Sequence, residues 1–573
     1  MAEEAPGVPP AHLLGVNDLP AEPDRHLVHA PQPGGRIGPM WRRLGHSLAC
    51  AWFRWDVRLG VCLLLGGLLS LHAGLDNNWD LHNYHLYDPF ALLHGRLGRD
   101  LNAVGMQTTF NPLLDVPYYL LAVQWLPHMP RTVAFLAGLP YGALAFLVLA
   151  VARLLPGGRQ PWQAEVTTAI GLCGTTVVSE IGQSYGDIQI AVFVVAALWP
   201  PLWCLAVGRP RSRPWIGACA VSGLAMGIAG GLKLTACVYA PALALGLLFA
   251  VGPWHRRMAG VAAFCACWLA GVGIADGWWA AHLWARFANP MFPMMNDLFR
   301  SPWAVAGSGR DTRFLPRSVV QALFYPFWWL GGHPFVASET GVRDWHFALA
   351  YLAVVVLAAR GLLRRVRDRI TPDPRTVLLL VFFTVGFAVW EAEFSILRYA
   401  IPLEALIGCV IVAALQSALP PRRARQGGVV VLVFLLATAG WPGWGRVSVD
   451  RGAVFDVRAP ALPDHSIVAV ASKPVGFVLP FLHGRDTAFV GVVDLSPGTR
   501  LYRTVARRLH TQRPVFALLF RNDAGAIATL ASMGRRVDTA ACQPVRTRRA
   551  SGIVLCPAPP SPAPAPAPAP ARG

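Results

Sequence analysis

The chain has 573 residues, 54% hydrophobic and 14% charged, with a mean hydropathy of +0.44. Soluble domains carry roughly 25% charged residues, so a soluble enzyme of this length is excluded, as are a disordered chain, a coiled coil and a disulfide scaffold. What remains is a multi-span membrane protein with an odd charge balance: 50 Lys+Arg against 31 Asp+Glu, net +19, with Lys233 and Lys473 the only lysines.

Basic surplus raises nucleic acid as a partner, so the placement of the arginines decides what the charge means. Arginine in place of lysine, beside abundant Ala, Gly and Pro, fits a GC-rich bacterial coding sequence. Residues 1–56 are Pro-rich and polar and do not resemble a cleavable signal; Arg42, Arg43 and Arg54 precede the first apolar run, which places this segment in the cytoplasm.

A spanning helix needs about 20 mostly apolar residues. Eleven stretches qualify in chain order: 57–75, 132–152, 164–182, 188–207, 215–231, 234–251, 258–276, 345–362, 376–390, 396–415 and 427–441. Two further stretches, 113–126 and 319–330, are too short or too broken by proline and read as interfacial or re-entrant. With eleven spans, sixteen arginines fall in five short loops on one side: Arg153 and Arg159; Arg209, Arg211 and Arg213; Arg256 and Arg257; Arg360, Arg364, Arg365, Arg367, Arg369 and Arg375; Arg422, Arg423 and Arg425. The charge is therefore a topology signal of the positive-inside kind, and nucleic acid drops out as a partner.

The opposite, extracytoplasmic face receives long loops at 76–131 and 277–344, short turns around Asp187, Lys233 and Glu391, and everything after Trp441. Asp80, Tyr84, Tyr87 and Ala91 of the first loop recur at helical spacing, which predicts one face carrying a carboxylate and aromatics. Asp88-Pro89 reads as the N-cap and first turn of a second short helix, stopped by Gly95, and Asn111-Pro112 with Asp115 follows.

This loop resembles that of the GT-C superfamily, integral-membrane glycosyltransferases that use polyprenyl-phosphate-linked sugars. There a catalytic acid after the first span is followed by a Tyr four residues on, an Ala and a Gly, as with Asp80, Tyr84, Ala91 and Gly95 here. The segment Asn289 to Asn296, with Phe299 to Pro302, is similar to the second outer loop of bacterial members, and Arg398-Tyr399 with Pro402 to their late Arg-Tyr element near the donor phosphate. The resemblance covers roughly residues 57–445. It implies a hexosyl- or pentosyltransferase of a bacterial inner membrane, moving a sugar from a polyprenyl phosphate to a cell-envelope glycan, lipid or protein acceptor. Members often carry two adjacent acids; here Asp76 and Asp80 are separated, and which one is the base stays open.

Such transfer needs a carboxylate for the acceptor proton and cations for the leaving phosphate. The expected roles are Asp80, then Asp76, as base; Arg398, Lys233 and Tyr399 at the donor phosphate; and Tyr84, His85, Asn111, Asp187 and Glu391 at the substrates. The bland readings are a loop acid for Asp80, a helix cap for Asp76 or Asp187, a snorkelling lysine for Lys233, and a structural ion pair with Glu391, Glu393 or Glu404 for Arg398. His72, His82, His85 and His94 invite a zinc reading, but no matched second pair of ligands follows, so no metal and no cofactor is expected, a divalent cation included. Trp278, Trp279 and Trp284 read as an interfacial aromatic belt.

Residues 447–558 change character. Strands at 466–471, 487–493, 514–520 and 553–556, with helices at 499–510 and 524–533, predict a small extracytoplasmic α/β domain with a largely parallel sheet. A disulfide between Cys542 and Cys556 is permitted there. Residues 559–573 form a Pro/Ala tail expected to be extended and disordered. The whole reads as an all-α polytopic membrane protein with about eleven transmembrane helices plus interfacial helices, and this small C-terminal domain. The rivals are a secondary transporter or lipid or polysaccharide flippase, and a non-catalytic membrane scaffold; no internal repeat supports the transporter.

Overall fold

The computed structural model describes residues 54–561, apart from 209–211, 250, 251, 308, 368, 370 and 371. Arg42, Arg43, Arg209, Arg211 and the tail from 562 onward lie outside the described residues, as does the N-terminal segment up to 53. The chain divides into two units, Met1–Val57 and Arg58–Gly573. Within the first, Arg54 pairs with Asp56 at 2.7 Å; all that follows concerns the second.

Seven helices are long and apolar enough to cross a membrane: Trp55–Ala73, Pro130–Leu154, Asp187–Ala206, Arg213–Leu232, Trp254–Phe287, His346–Arg367 and Pro374–Glu393. An eighth span exists if Leu397–Glu404 and Ile407–Ala418, bent by 46° at their junction, count as one. A count of eleven is not confirmed, because the other three stretches are helical without making a continuous apolar span. The stretch at 164–182 is split into Gln163–Leu172 and Thr175–Ser179. Its break has a partner: the buried Glu404 carboxylate accepts from the Thr176 and Val177 amides at 3.1 and 3.0 Å and from the Thr176 hydroxyl, capping the second piece. Broken backbone at such depth is tolerated only where protein satisfies it. Leu234–Leu248 is a shorter apolar helix, and Pro421–Thr438 carries three arginines in its first turns. The two stretches expected to be interfacial or re-entrant fold as short helical pieces, among them Val116–Tyr119 and Leu120–Trp125, and Val319–Leu323 and Tyr325–Trp328.

Close backbone packing comes from small residues. A Cβ on Gly227 would lie 2.1 Å from the Trp268 carbonyl oxygen and 2.9 Å from the Gly271 Cα, so glycines let Arg213–Leu232 and Trp254–Phe287 approach at this crossing. Arginine-bearing loops gather at one end of the bundle. Arg153 pairs with Glu165 at 2.7 Å, Arg375 donates to the Leu154 carbonyl at 2.8 Å and Arg364 to the Ser417 carbonyl at 3.0 Å. The first loop, the turn at 183–187, Lys233 and Arg398 meet at the other end.

The C-terminal domain holds a five-stranded sheet in the order Ala488–Gly491, Ile467–Val470, Val515–Phe520, Ile553–Pro557, Gln543–Pro544. All four expected strands and both helices, Arg500–Leu509 and Ala524–Ser532, are present. Thr499 and Asp523 cap those helices through the Tyr502 and Ala526 amides. The sheet is mixed instead of largely parallel: the first three strands pair parallel, the last two antiparallel. The final strand returns beside Val515–Phe520 without a crossover helix after Gln543–Pro544, and Cys542 and Cys556 form a disulfide across that return. The first loop is knitted into this domain. Leu75–Asp76 pairs antiparallel with Arg446–Val447, Leu101 bridges to Val490, and the Asp100 carboxylate accepts from the Phe489 amide at 2.9 Å.

Candidate active site

Two acids open the first loop and meet different surroundings. Asp76 is 1% exposed, and both its oxygens are engaged: Oδ1 accepts from the Asn78 amide at 2.9 Å, and Oδ2 from Asn78 Nδ2 at 3.0 Å and the Ser184 amide at 2.7 Å. Asn78 in turn accepts from the Leu81 amide at 2.7 Å. Asp76 is thus the pin that joins the loop to the turn at Ser184. Burial pushes its carboxyl above the ordinary value, against those hydrogen bonds.

Asp80 follows. Its Oδ2 accepts from Arg398 Nη1 at 2.7 Å, and among the described residues Oδ1 makes no hydrogen bond. Burial alone would raise this carboxyl; the Arg398 guanidinium, with His85 and Lys233, outweighs it and holds the group below its ordinary value. The chain after Asp80 is a π-helix, Leu81–His85, instead of the α-helix that the spacing suggested. Such turns recur at functional sites because they re-aim side chains. The next helix, Tyr87–Leu93, starts one residue early, so Asp88 is no N-cap. Its two oxygens are buried without a partner, and burial, then Asp115, drive its carboxyl well up. Gly95 ends the segment at φ +62°.

Arg398 lies on a 3-10 turn, Leu397–Ala400, at the start of the bent helix pair. Its guanidinium sits 4.6 Å from the Tyr185 ring centroid and 5.2 Å from that of Tyr399, and its Nε is buried without a partner. Lys233, extended between two helices, places Nζ 5.2 Å from the same Tyr399 centroid. It donates to the Tyr185 carbonyl at 3.0 Å and to Asp187 Oδ1 at 2.5 Å. Asp187 opens the helix Asp187–Ala206, and the left-handed Gly186 before it, at φ +84°, forms the turn that presents Tyr185. Asp80, Arg398, Lys233, Tyr399 and Asp187 therefore form one cluster, with both cations against one tyrosine ring.

Other expected residues border it. Tyr84 stacks on His85 (ring centroids 4.1 Å apart) and meets Phe110 edge-on; burial raises its hydroxyl well above the usual range. His85 is held through Nδ1 by Asp115 at 2.7 Å, with Nε2 buried and unpartnered. Asn111 donates to the Gly231 and Ala275 carbonyls and to Asp276, so it fastens the loop to two helix ends. Glu391 is half-buried with Oε1 unpartnered, and no described contact joins it to the cluster.

Sequence reasoning missed Tyr185, Asp115 and Glu180. Tyr185 stands in a Tyr-Gly-Asp turn and Asp115 in the Asn-Pro segment, so both were visible without partners. Glu180, 2% exposed, sits inside an apolar stretch and interacts electrostatically with Asp187, Lys233 and Arg398. Among the described residues no three His, Cys, Asp or Glu side chains converge to hold a metal. His82 stacks on Phe477 and bonds Asn77 at 3.0 Å; burial, then Arg549, lower it to about 4. Trp279 is buried and donates to the Thr109 carbonyl at 2.9 Å, whereas Trp278 and Trp284 are exposed.

No family model matches the chain, and no curated protein does. Two solved structures are similar to it. One is the crystal structure of ArnT from Cupriavidus metallidurans bound to undecaprenyl phosphate, at 13% identity and TM-score 0.47, covering 88% of this chain and 98% of that one. The other is the cryo-EM structure of the arabinofuranosyltransferase AftD from Mycobacteria, at 15% identity and TM-score 0.48; the match covers 87% of this chain but 39% of that longer one.

Proposed function

We propose that this chain is a GT-C-like membrane glycosyltransferase that moves a sugar from a polyprenyl-phosphate donor to an acceptor hydroxyl at the extracytoplasmic face. The observation that carries this reading is the cluster at one end of the bundle: the Asp80 carboxylate paired with Arg398, and Lys233 beside it across Tyr399. Intramembrane and membrane-edge ions are costly, and function is the default reason to keep them.

The chemistry follows from the atoms. The acceptor hydroxyl gives its proton to Asp80, whose Oδ1 is free of hydrogen bonds. The acceptor oxygen forms a bond to the sugar's anomeric carbon, the bond from that carbon to the phosphate oxygen breaks, and polyprenyl phosphate leaves with one more negative charge. Arg398 Nε, buried and unpartnered, and the Lys233 ammonium supply the countercharge. The base is assigned to Asp80 over Asp76 because both Asp76 oxygens are already spent on the loop. Tyr84 and His85 wall the acceptor side, and Asp187 positions Lys233. The membrane is the bacterial inner membrane, with the arginine-bearing end of the bundle cytoplasmic.

Purified protein incubated with a panel of polyprenyl-phosphate sugars tests this. Donor turnover is expected for at least one sugar, and Asp80→Asn should lose about 10²–10⁴-fold of it. No turnover of any donor would remove the reading; undiminished turnover in both Asp80→Asn and Asp76→Asn would remove the base.

A further inference from the structure

The positive-inside rule accounts for arginines in short loops beside spans, not for those of a folded domain. Residues 447–558 hold fifteen Lys+Arg against seven Asp+Glu, a net charge of +8. Part of that surplus converges on a cavity of about 590 Å³ between the first loop and the C-terminal sheet. Its walls carry Arg99, Arg507, Arg508, Arg513, His465 and His510, and its floor is apolar, from Ile467, Ala488 and Val490.

Asp486 is the one carboxylate in that wall. It is already met by Arg99 at 3.2 Å and by His465 at 3.5 Å. The other arginines are oriented by carbonyls that neutralise no charge: Arg508 donates to the Arg99 carbonyl, and Arg513 to the Asp486 carbonyl at 2.8 Å and to that of His465. Arg507 is exposed and makes no hydrogen bond among the described residues. Each guanidinium has five N–H donors and spends at most two or three here, so most of the fork is left for a ligand. Like charges held together in a concave, apolar-floored space focus the field on an anion, and the planar guanidinium fork matches phosphate oxygens. The volume falls in the range of small-ligand sites, roughly 300–1,000 Å³.

We propose that this cavity binds a phosphate ester, as an anion-recognition site separate from the Asp80 cluster. The phosphate comes either from a phosphorylated saccharide or from a phospholipid headgroup. The site stands independently of the transfer reaction.

The test uses the full chain in phosphatidylcholine nanodiscs, titrated calorimetrically with glucose 6-phosphate and with glucose. Glucose 6-phosphate should bind, glucose should not, and the affinity should fall as salt rises. Arg507→Glu should weaken binding on the order of tenfold or more, with an unchanged melting temperature, because the exposed side chain holds nothing in place. Arg398→Gln should leave it unaltered, which separates this site from the donor site. Exchange of phosphatidylcholine for phosphatidylglycerol separates the sources: competition with glucose 6-phosphate assigns the headgroup, and its absence assigns the saccharide. Equal behaviour of the two sugars would overturn the proposal. So would binding that survives Arg507→Glu and disappears in Arg398→Gln.

Discussion

Both ends of the helical bundle carry arginine and employ it differently. At one end Arg364 and Arg375 donate to the Ser417 and Leu154 carbonyls, and Arg257 to that of Leu248, all at or near helix C-termini. Such contacts satisfy the last carbonyls and complement the helix dipole, and solvent serves nearly as well. At the other end Arg398 and Lys233 are enclosed by Asp80, Asp187, Tyr185 and Tyr399. No water replaces them there, so their charge is available for chemistry and costly to lose. A residue type thus carries topology in one setting and function in another, and the difference lies in what surrounds it.

The strongest contrast should come from the acid of the enclosed end. Asp80→Asn is expected to cost about 10²–10⁴-fold in donor turnover while thermal unfolding stays near that of the parent, because the amide keeps the shape and loses the proton acceptor. Arg398→Gln should come next, at about 10²–10³-fold, through lost stabilisation of the leaving phosphate.

Arg398 also sets the pH dependence. Asp80 is held below its ordinary value of 3.8, so it is ionised above that depressed value, and turnover should be flat through neutral pH. The acid limb appears only as pH falls through it. In Arg398→Gln burial is no longer opposed, the carboxyl rises, and the limb should move to higher pH in a pH–rate profile.

Asp76 shares the enclosed end but belongs to its framework. Asp76→Asn puts an amide N–H against at least one N–H donor and should cost about 1–3 kcal/mol in thermal unfolding, with turnover per folded molecule retained. The smallest effect is expected at the open end: Arg364→Gln should shift stability by within about 0.5 kcal/mol and leave transfer unchanged. A loss of turnover there equal to that of Arg398→Gln would erase the distinction between the two ends.

Segments were legible from the sequence and their partners were not. The apolar runs, the arginine loops, the strands and helices of the C-terminal domain and the acid-bearing first loop all follow from local composition. The choice between Asp76 and Asp80 does not, since two acids four residues apart look alike until Ser184 and Arg398 reach them from 108 and 318 residues away. The π-turn at Leu81–His85 leaves the apolar and aromatic pattern nearly unchanged, so periodicity read it as α. Glu180 was lost in an apolar stretch, and the break of that stretch was invisible because its cap, Glu404, lies 228 residues on from Thr176.

Run length and the sidedness of arginine are answers to a solvent, and each residue gives its answer alone or with near neighbours; membrane insertion and the basic loops were therefore readable in one dimension. Ion pairs, ring contacts and capping carboxylates are answers to one other residue. Lys233 and Asp187 stand 46 residues apart, and whether they meet depends on how helices cross, which glycines such as Gly227 permit at some faces and bulkier residues forbid at others. Tertiary packing alone chose which acid met a cation, which acid became a pin, and where the surplus arginines converged.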